Sequence, residues 1–129
     1  MSMPELIIKQ YQHEVETWRR ILSFLSEENI NIKKRLSDIL RGMEKSNDAM
    51  LDRIECFHNR LLKEDEIISF LSREVADQNK LLTPEVYEDG NILKAVISKQ
   101  LKLSSAIETA EQEFNKLNFE FNSYLSKIM

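Results

Sequence analysis

Apolar residues recur along most of this chain at alternating intervals of three and four positions. The repeat occupies three stretches, at 8–43, 50–82 and 93–128. An average spacing of 3.5 residues brings these side chains, which we call the seam, onto one face of a helix and is typical of left-handed coiled-coil packing. At 1.5 Å per residue, each stretch is about 50–60 Å long as a helix. The pattern predicts three long helices, at about 4–43, 47–82 and 91–128.

The connection between the second and third helices is predicted from the residues that interrupt the repeat. Thr83 is a candidate helix cap, Pro84 suits a first helical turn, and Gly90 suits the end of that turn. We therefore predict a short helical turn at 84–89. An alternative stays open, in which the third helix begins at Pro84 and continues through Gly90, because Val86 keeps the seven-residue repeat.

The three helices are expected to pack together, because a lone amphipathic helix is not stable in water and short connections make neighbours antiparallel. Ser2 and Glu5 have the spacing of a capping box at the start of the first helix. Only 2 Gly and 2 Pro are present, too few for the turns of a sandwich or barrel. The sequence thus predicts an all-α fold, an antiparallel up-down-up three-helix bundle of long coiled-coil-like helices, forming one helical-bundle domain over residues 1–129. The alternative is a long intermolecular coiled coil.

Four positions of the seam are polar: Asn29, Glu64, Gln78 and Gln100. Counting residues outward from the two connections places Asn29 level with Glu64, and Gln78 level with Gln100 and Trp18. We interpret the Asn29–Glu64 level as a buried polar pair that fixes the register of the helices at some cost in stability. The alternative interpretation is a small polar pocket for a ligand or ion. The two glutamine amides are candidate partners for the Trp18 indole N–H.

Charge and cysteine content narrow the class of partner. The net charge is −4, from 18 basic and 22 acidic residues, and 11 of the acidic residues lie within 46–90. This balance argues against general nucleic-acid binding, which depends on Lys and Arg at the phosphates. A single cysteine, Cys56, excludes an internal disulfide and is typical of a reducing compartment. Without a signal-peptide pattern or an apolar run of about 18–20 residues, we expect no membrane insertion and a cytoplasmic location.

Motifs for metal binding and catalysis are sparse. Glu55 and His58 form one Glu-x-x-His motif, whereas helical di-iron sites use that motif twice with two further Glu. The other histidine, His13, has no Glu at the same spacing. We therefore predict no metal site, no cofactor and no enzymatic activity. The alternative is a metal- or small-ligand-binding bundle that uses Glu55, His58, Glu64 and Asn29, and a third possibility is a signalling domain phosphorylated on His58.

Several apolar residues fall outside the seam. Some flank it and are predicted to widen the core: Ile21, Leu40, Leu51, Ile97 and Leu125. Others point further away and form the candidate interface: Ile30, Leu62, Phe70, Leu101 and Phe119. Clustered apolar residues on a surface mark interaction sites, and the level count places Phe70 close to Leu101. The sequence therefore predicts a non-enzymatic bundle that acts through a protein partner or through self-association, for example as a homodimer.

Overall fold

The computed structural model describes residues 2–43 and 48–128 of the chain. Its helices are α1 (Met3–Gly42), α2 (Asp48–Leu81) and α3 (Gly90–Ile128), and a 3₁₀ turn (Pro84–Glu88) lies between α2 and α3. Each of the three helices packs against the other two. The predicted all-α three-helix bundle with a short helical turn is confirmed, and α3 begins after the turn rather than at Pro84.

The core of the bundle follows the predicted seam. Its buried apolar side chains occupy seam positions on all three helices, and Val86 and Leu125 add to them. Towards the end of the bundle where α3 terminates, the rings of Phe57 and Phe121 meet edge to face, with centroids 5.4 Å apart. The guanidinium of Arg53 lies 5.2 Å from the centre of the Phe57 ring and shields it from solvent. Burial of the seam supplies the main stabilisation of helices that are not stable alone.

The residues that were predicted to widen the core divide into two groups. Leu125 is buried, Ile21 packs against the core and Ile97 is half-buried. The prediction is wrong for Leu40 and Leu51, whose side chains are 43% and 38% exposed. They line a cavity whose described lining residues belong to α1 and α2 and include none from α3.

The caps at the helix ends agree with the sequence only in part. Ser2 accepts a hydrogen bond from the backbone amide of Glu5 (N···Oγ 3.3 Å), as predicted. Thr83 makes no side-chain cap, and Gly90 begins α3 instead of ending the turn. The cap of α3 is Asp89, whose carboxylate accepts from the backbone amides of the two residues after Gly90 at 3.0 and 3.2 Å. An aspartate in this position satisfies amides that have no partner within the helix.

Ion pairs between helices flank the core. Lys33 of α1 pairs with Asp65 of α2. From α2 to α3, Arg60 pairs with Glu120, and Glu74 pairs with Lys99 at 2.9 Å. The Arg60 guanidinium lowers the pKa of the Glu120 carboxyl by hydrogen bonding to its charged form. Among the described helices, none has an apolar stretch sufficient to span a membrane.

Candidate functional site

Asn29 is fully buried where α1 crosses α2. Its Nδ2 donates to the backbone carbonyl of Leu61 at 3.1 Å and also to the carboxylate of Asp65. Asp65 in turn holds Lys33 of α1. The other amide atom, Asn29 Oδ1, has no hydrogen-bond partner among the described residues. Asn29 is therefore a link between two helices, with one acceptor left over.

Glu64 is buried next to this link without joining it. Its side chain is 7% exposed, and Oε2 has no hydrogen-bond partner within the described chain. We expected Asn29 to pair with Glu64. The Asn29 Nδ2 group instead donates to the carboxylate of Asp65, one residue further along α2. Burial raises the pKa of the Glu64 carboxyl, and the negative charge of Glu113 adds to the increase.

A second polar level connects all three helices. Gln78 Nε2 of α2 donates to the Gln100 side chain at 3.0 Å and to the backbone carbonyl of Val96 at 2.9 Å, both on α3. Gln100 Nε2 then donates to the carboxylate of Glu14 at 3.0 Å, on α1. The structure therefore brings the two glutamines together. Gln78 Oε1 has no partner in the described residues, so it does not accept the Trp18 indole N–H as we expected.

The residues of the alternative metal site are divided between surface and core. Glu55 and His58 are exposed on α2, whereas Asn29 and Glu64 are buried. Within the described residues, no three His, Cys, Asp or Glu side chains are arranged to hold a metal ion. Cys56 is exposed beside the motif. The geometry thus adds no ligands to the Glu-x-x-His pair.

Two members of the candidate interface lie level with each other on the outside of the α1–α2 pair. Ile30 lies three residues before Lys33, and Leu62 lies three residues before Asp65, so each is one helical turn from the same ion pair. Both side chains are nearly half exposed, at 46% and 44%. These two apolar side chains are exposed to solvent on neighbouring helices. Apolar side chains in such a position are typical of the centre of a protein–protein interface.

Two cavities on this side have described lining residues from α1 and α2 only, and they lie in opposite directions along the helices from Ile30 and Leu62. The first has a volume of about 590 Å³ and is lined by four serines with Glu27, Arg19 and Arg73. The second has a volume of about 450 Å³ and combines Leu40 and Leu51 with acidic side chains. We call the whole surface the α1–α2 face: Arg19, Ser23, Ser26, Glu27, Ile30, Leu40, Asp48, Leu51, Asp52, Glu55, His58, Leu62, Ser69, Ser72 and Arg73.

The other three members of the candidate interface lie elsewhere. Phe70 borders a groove between α2 and α3, whose lining includes Lys99, Lys102 and Ala106. Leu101 is not part of that lining, although the level count placed it near Phe70. Phe119 is the most exposed of the five, at 73%, and lies on α3. Ile30 and Leu62 share their surface with two further exposed apolar side chains, Leu40 and Leu51.

Sequence reasoning missed the cavity lined by serines and arginines. The signal was present, because Ser23 and Ser26 on α1 have the same spacing as Ser69 and Ser72 on α2. Residues three apart share a helix face, and the antiparallel alignment of the two helices brings both pairs to one level.

Comparisons with protein-family models, with curated proteins and with solved structures found no match to this chain.

Proposed function

We propose that this chain is a non-enzymatic helical-bundle protein that acts through contact with another protein surface, as an adaptor, regulator or assembly subunit. The observation that carries the proposal is the α1–α2 face, where four apolar side chains remain exposed along a groove that α3 leaves uncovered: Ile30, Leu62, Leu40 and Leu51. Exposed apolar side chains that cluster beside concave surface mark interaction sites.

The chemistry of the face also supports contact with protein rather than with nucleic acid. Three carboxylates, those of Asp48, Asp52 and Glu55, line the cavity beside Leu40 and Leu51. Nucleic-acid surfaces are recognised by Lys and Arg, and neither occurs among the described residues that line this cavity. A mixed surface of apolar centre and charged ends is typical of a protein–protein interface.

The proposal is tested by co-purification of the tagged full chain from its native cell, combined with light scattering on the isolated protein. The matched control is a variant with Ile30→Glu and Leu62→Glu, two exposed positions where the change leaves the core intact. We expect a stoichiometric protein partner, or self-association, that the wild-type chain shows and the variant loses. The proposal is contradicted if the wild-type chain is monomeric and co-purifies with no protein that is absent from the variant preparation. It is also contradicted if the purified protein contains stoichiometric iron, manganese or zinc, a result that supports the metal-binding alternative at Glu55 and His58.

A further inference from the structure

Two oppositely charged residues of α2 lie at nearly equal distances on either side of Leu62. Asp52 lies ten residues before Leu62 and Arg73 lies eleven residues after it. At 1.5 Å per residue, both are about 15 Å from Leu62 along the helix, in opposite directions. Each borders one of the two cavities of the α1–α2 face. A surface with opposite charges at equal distances from an apolar centre is complementary to itself when it is turned end for end.

Asp52 and Arg73 are also available for such a contact. Within residues 2–43 and 48–128, neither takes part in an ion pair or a side-chain hydrogen bond. Other charged residues of α2 are already paired across the bundle, Arg60 with Glu120 and Glu74 with Lys99. The unpaired charges of α2 on this side therefore face solvent or a second molecule.

Two charged residues of α1 close to Ile30 are arranged in the same way, although only Glu27 borders a cavity of the face. Glu27 lies three residues before Ile30, and Lys34 lies four residues after it. Neither forms an ion pair with another residue of the described chain. When α1 is turned end for end about Ile30, the acidic position of one copy meets the basic position of the other. Both helices of the face thus have their apolar residue at the same level and opposite charges on either side of it.

We propose that the surface that covers the α1–α2 face is a second copy of this chain, packed antiparallel about a two-fold axis level with Ile30 and Leu62. This inference rests on the proposed function of protein–protein contact and names the partner. In this arrangement α1 faces α1 and α2 faces α2, the two apolar levels form one centre, and Asp52 meets Arg73 of the second copy at each end. A two-fold axis gives the self-complementary interface that is commonest in soluble oligomers. Parallel packing about a two-fold axis along the helices instead places α2 of each copy against α1 of the other, so it does not bring Asp52 to Arg73.

The face is large enough for a specific but dissociable dimer. From Arg19 to Leu40, α1 extends about 30 Å, and two helices packed side by side are about 20 Å wide. The product is roughly 600 Å² on each copy, at the lower end of what specific interfaces bury. We therefore expect self-association that depends on protein concentration rather than an obligate dimer.

The first test is sedimentation equilibrium of the full chain at several concentrations. Leu62→Glu places a carboxylate at the proposed axis and is expected to weaken self-association at least tenfold. The matched control is Phe119→Glu, an equally drastic change at a more exposed site on α3, which is expected to leave self-association unchanged. A dimer that survives Leu62→Glu, or that Phe119→Glu abolishes, overturns the proposed face.

The second test is charge reversal. Asp52→Arg places two arginines against each other at both ends of the dimer and is expected to weaken self-association. The double variant with Asp52→Arg and Arg73→Asp again places opposite charges against each other at both ends of the dimer. It is therefore expected to recover self-association. A second loss in the double variant, in place of recovery, contradicts the antiparallel pairing.

The third test fixes the axis by disulfide cross-linking in a Cys56→Ser background. Leu62→Cys is expected to form an intermolecular disulfide, whereas Glu55→Cys alone and Ser69→Cys alone are not. A mixture of the Glu55→Cys and Ser69→Cys chains is expected to cross-link, since these positions lie seven residues either side of Leu62. If the wild-type chain is monomeric at all concentrations, the second copy is ruled out, and capture of a different protein then upholds the proposed function without this inference.

Discussion

Replacing Asn29 with Leu should stabilise the bundle, although it removes two interhelical hydrogen bonds. The buried Oδ1 of Asn29 has no partner, and an unsatisfied buried polar atom costs about 1–3 kcal/mol. A fully buried Leu side chain adds about 1.5–3 kcal/mol. Against this stand two hydrogen bonds from Nδ2, to Leu61 and to the charged Asp65, worth about 2–4 kcal/mol together.

Both acceptors keep other partners after the substitution. The Leu61 carbonyl lies within α2 and keeps its helical hydrogen bond, and Asp65 keeps Lys33. No new buried group is therefore left unsatisfied, and the net gain is about 1 kcal/mol. For a chain of this length, that gain raises Tm by about 3–4 °C.

The measurement is thermal unfolding followed by circular dichroism, with Asn31→Leu as the control. Asn31 is exposed on the same helix two residues further on, so this control contains the helix-propensity gain without the burial. The Tm of Asn29→Leu should be higher than that of Asn31→Leu. The amide NMR spectrum of Asn29→Leu should also show more than one set of peaks, because the helices can then pack in more than one register. A Tm lowered by several degrees with unfolding still cooperative refutes the reasoning.

Three further predictions concern the core and the helix ends. Glu64→Gln should stabilise the fold by about 1 kcal/mol at pH 7, because the raised pKa of Glu64 means that its buried charge destabilises the folded state above that pKa. The gain in Tm over wild type should shrink as pH falls through the raised pKa of Glu64 towards the ordinary carboxyl range. The control is Glu66→Gln at an exposed position. A Tm difference between Glu64→Gln and wild type that stays constant from pH 7 to pH 4 argues against a buried charge. Phe57→Ala should cost about 3–5 kcal/mol in urea unfolding, since the ring is buried against Phe121; a loss below 1 kcal/mol contradicts the packing. Gly42→Ala should add about 0.5–1 kcal/mol, because a Cβ there meets no atom within 4 Å and the backbone has no positive φ; destabilisation argues against the helical geometry at the end of α1.

The repeat of apolar residues predicts the helices and the core because each seam side chain has one place to be buried. Phe57 and Leu103, for example, follow from spacing alone and are buried. The same spacing cannot resolve which of two successive residues meets a polar neighbour. Counting placed Glu64 opposite Asn29, whereas the amide donates to Asp65, since that carboxylate is also held by Lys33. Side-chain contacts of this kind depend on a shift of one residue, which is smaller than the precision of a level count.

The exposed surface is less predictable than the core, because a helix flank is buried only if a third element covers it. Leu40, Leu51 and Leu125 all flank the seam in sequence, yet only Leu125 is buried. The difference is the position of α3, which leaves one side of the α1–α2 pair open.

The buried link at Asn29 and the exposed pair on the α1–α2 face are physically connected. Ile30 and Leu62 directly follow Asn29 and Leu61, which are hydrogen-bonded, so the register fixed inside the bundle sets the level of the apolar pair outside it. A slip of one heptad between α1 and α2 separates Ile30 from Leu62 by about 10 Å and removes the common apolar level on which a second copy packs.

The two substitutions at this level should therefore separate stability from association. Asn29→Leu should raise Tm and weaken self-association by loosening the register, although its side chain never reaches the surface. Leu62→Glu should weaken self-association at nearly unchanged Tm, because its side chain is already half exposed. If Asn29→Leu raises Tm and leaves self-association intact, the register is held by other contacts, such as the hydrogen bond from Gln12 to the Leu82 carbonyl at 2.8 Å, and the polar core position is not what aligns the outer face.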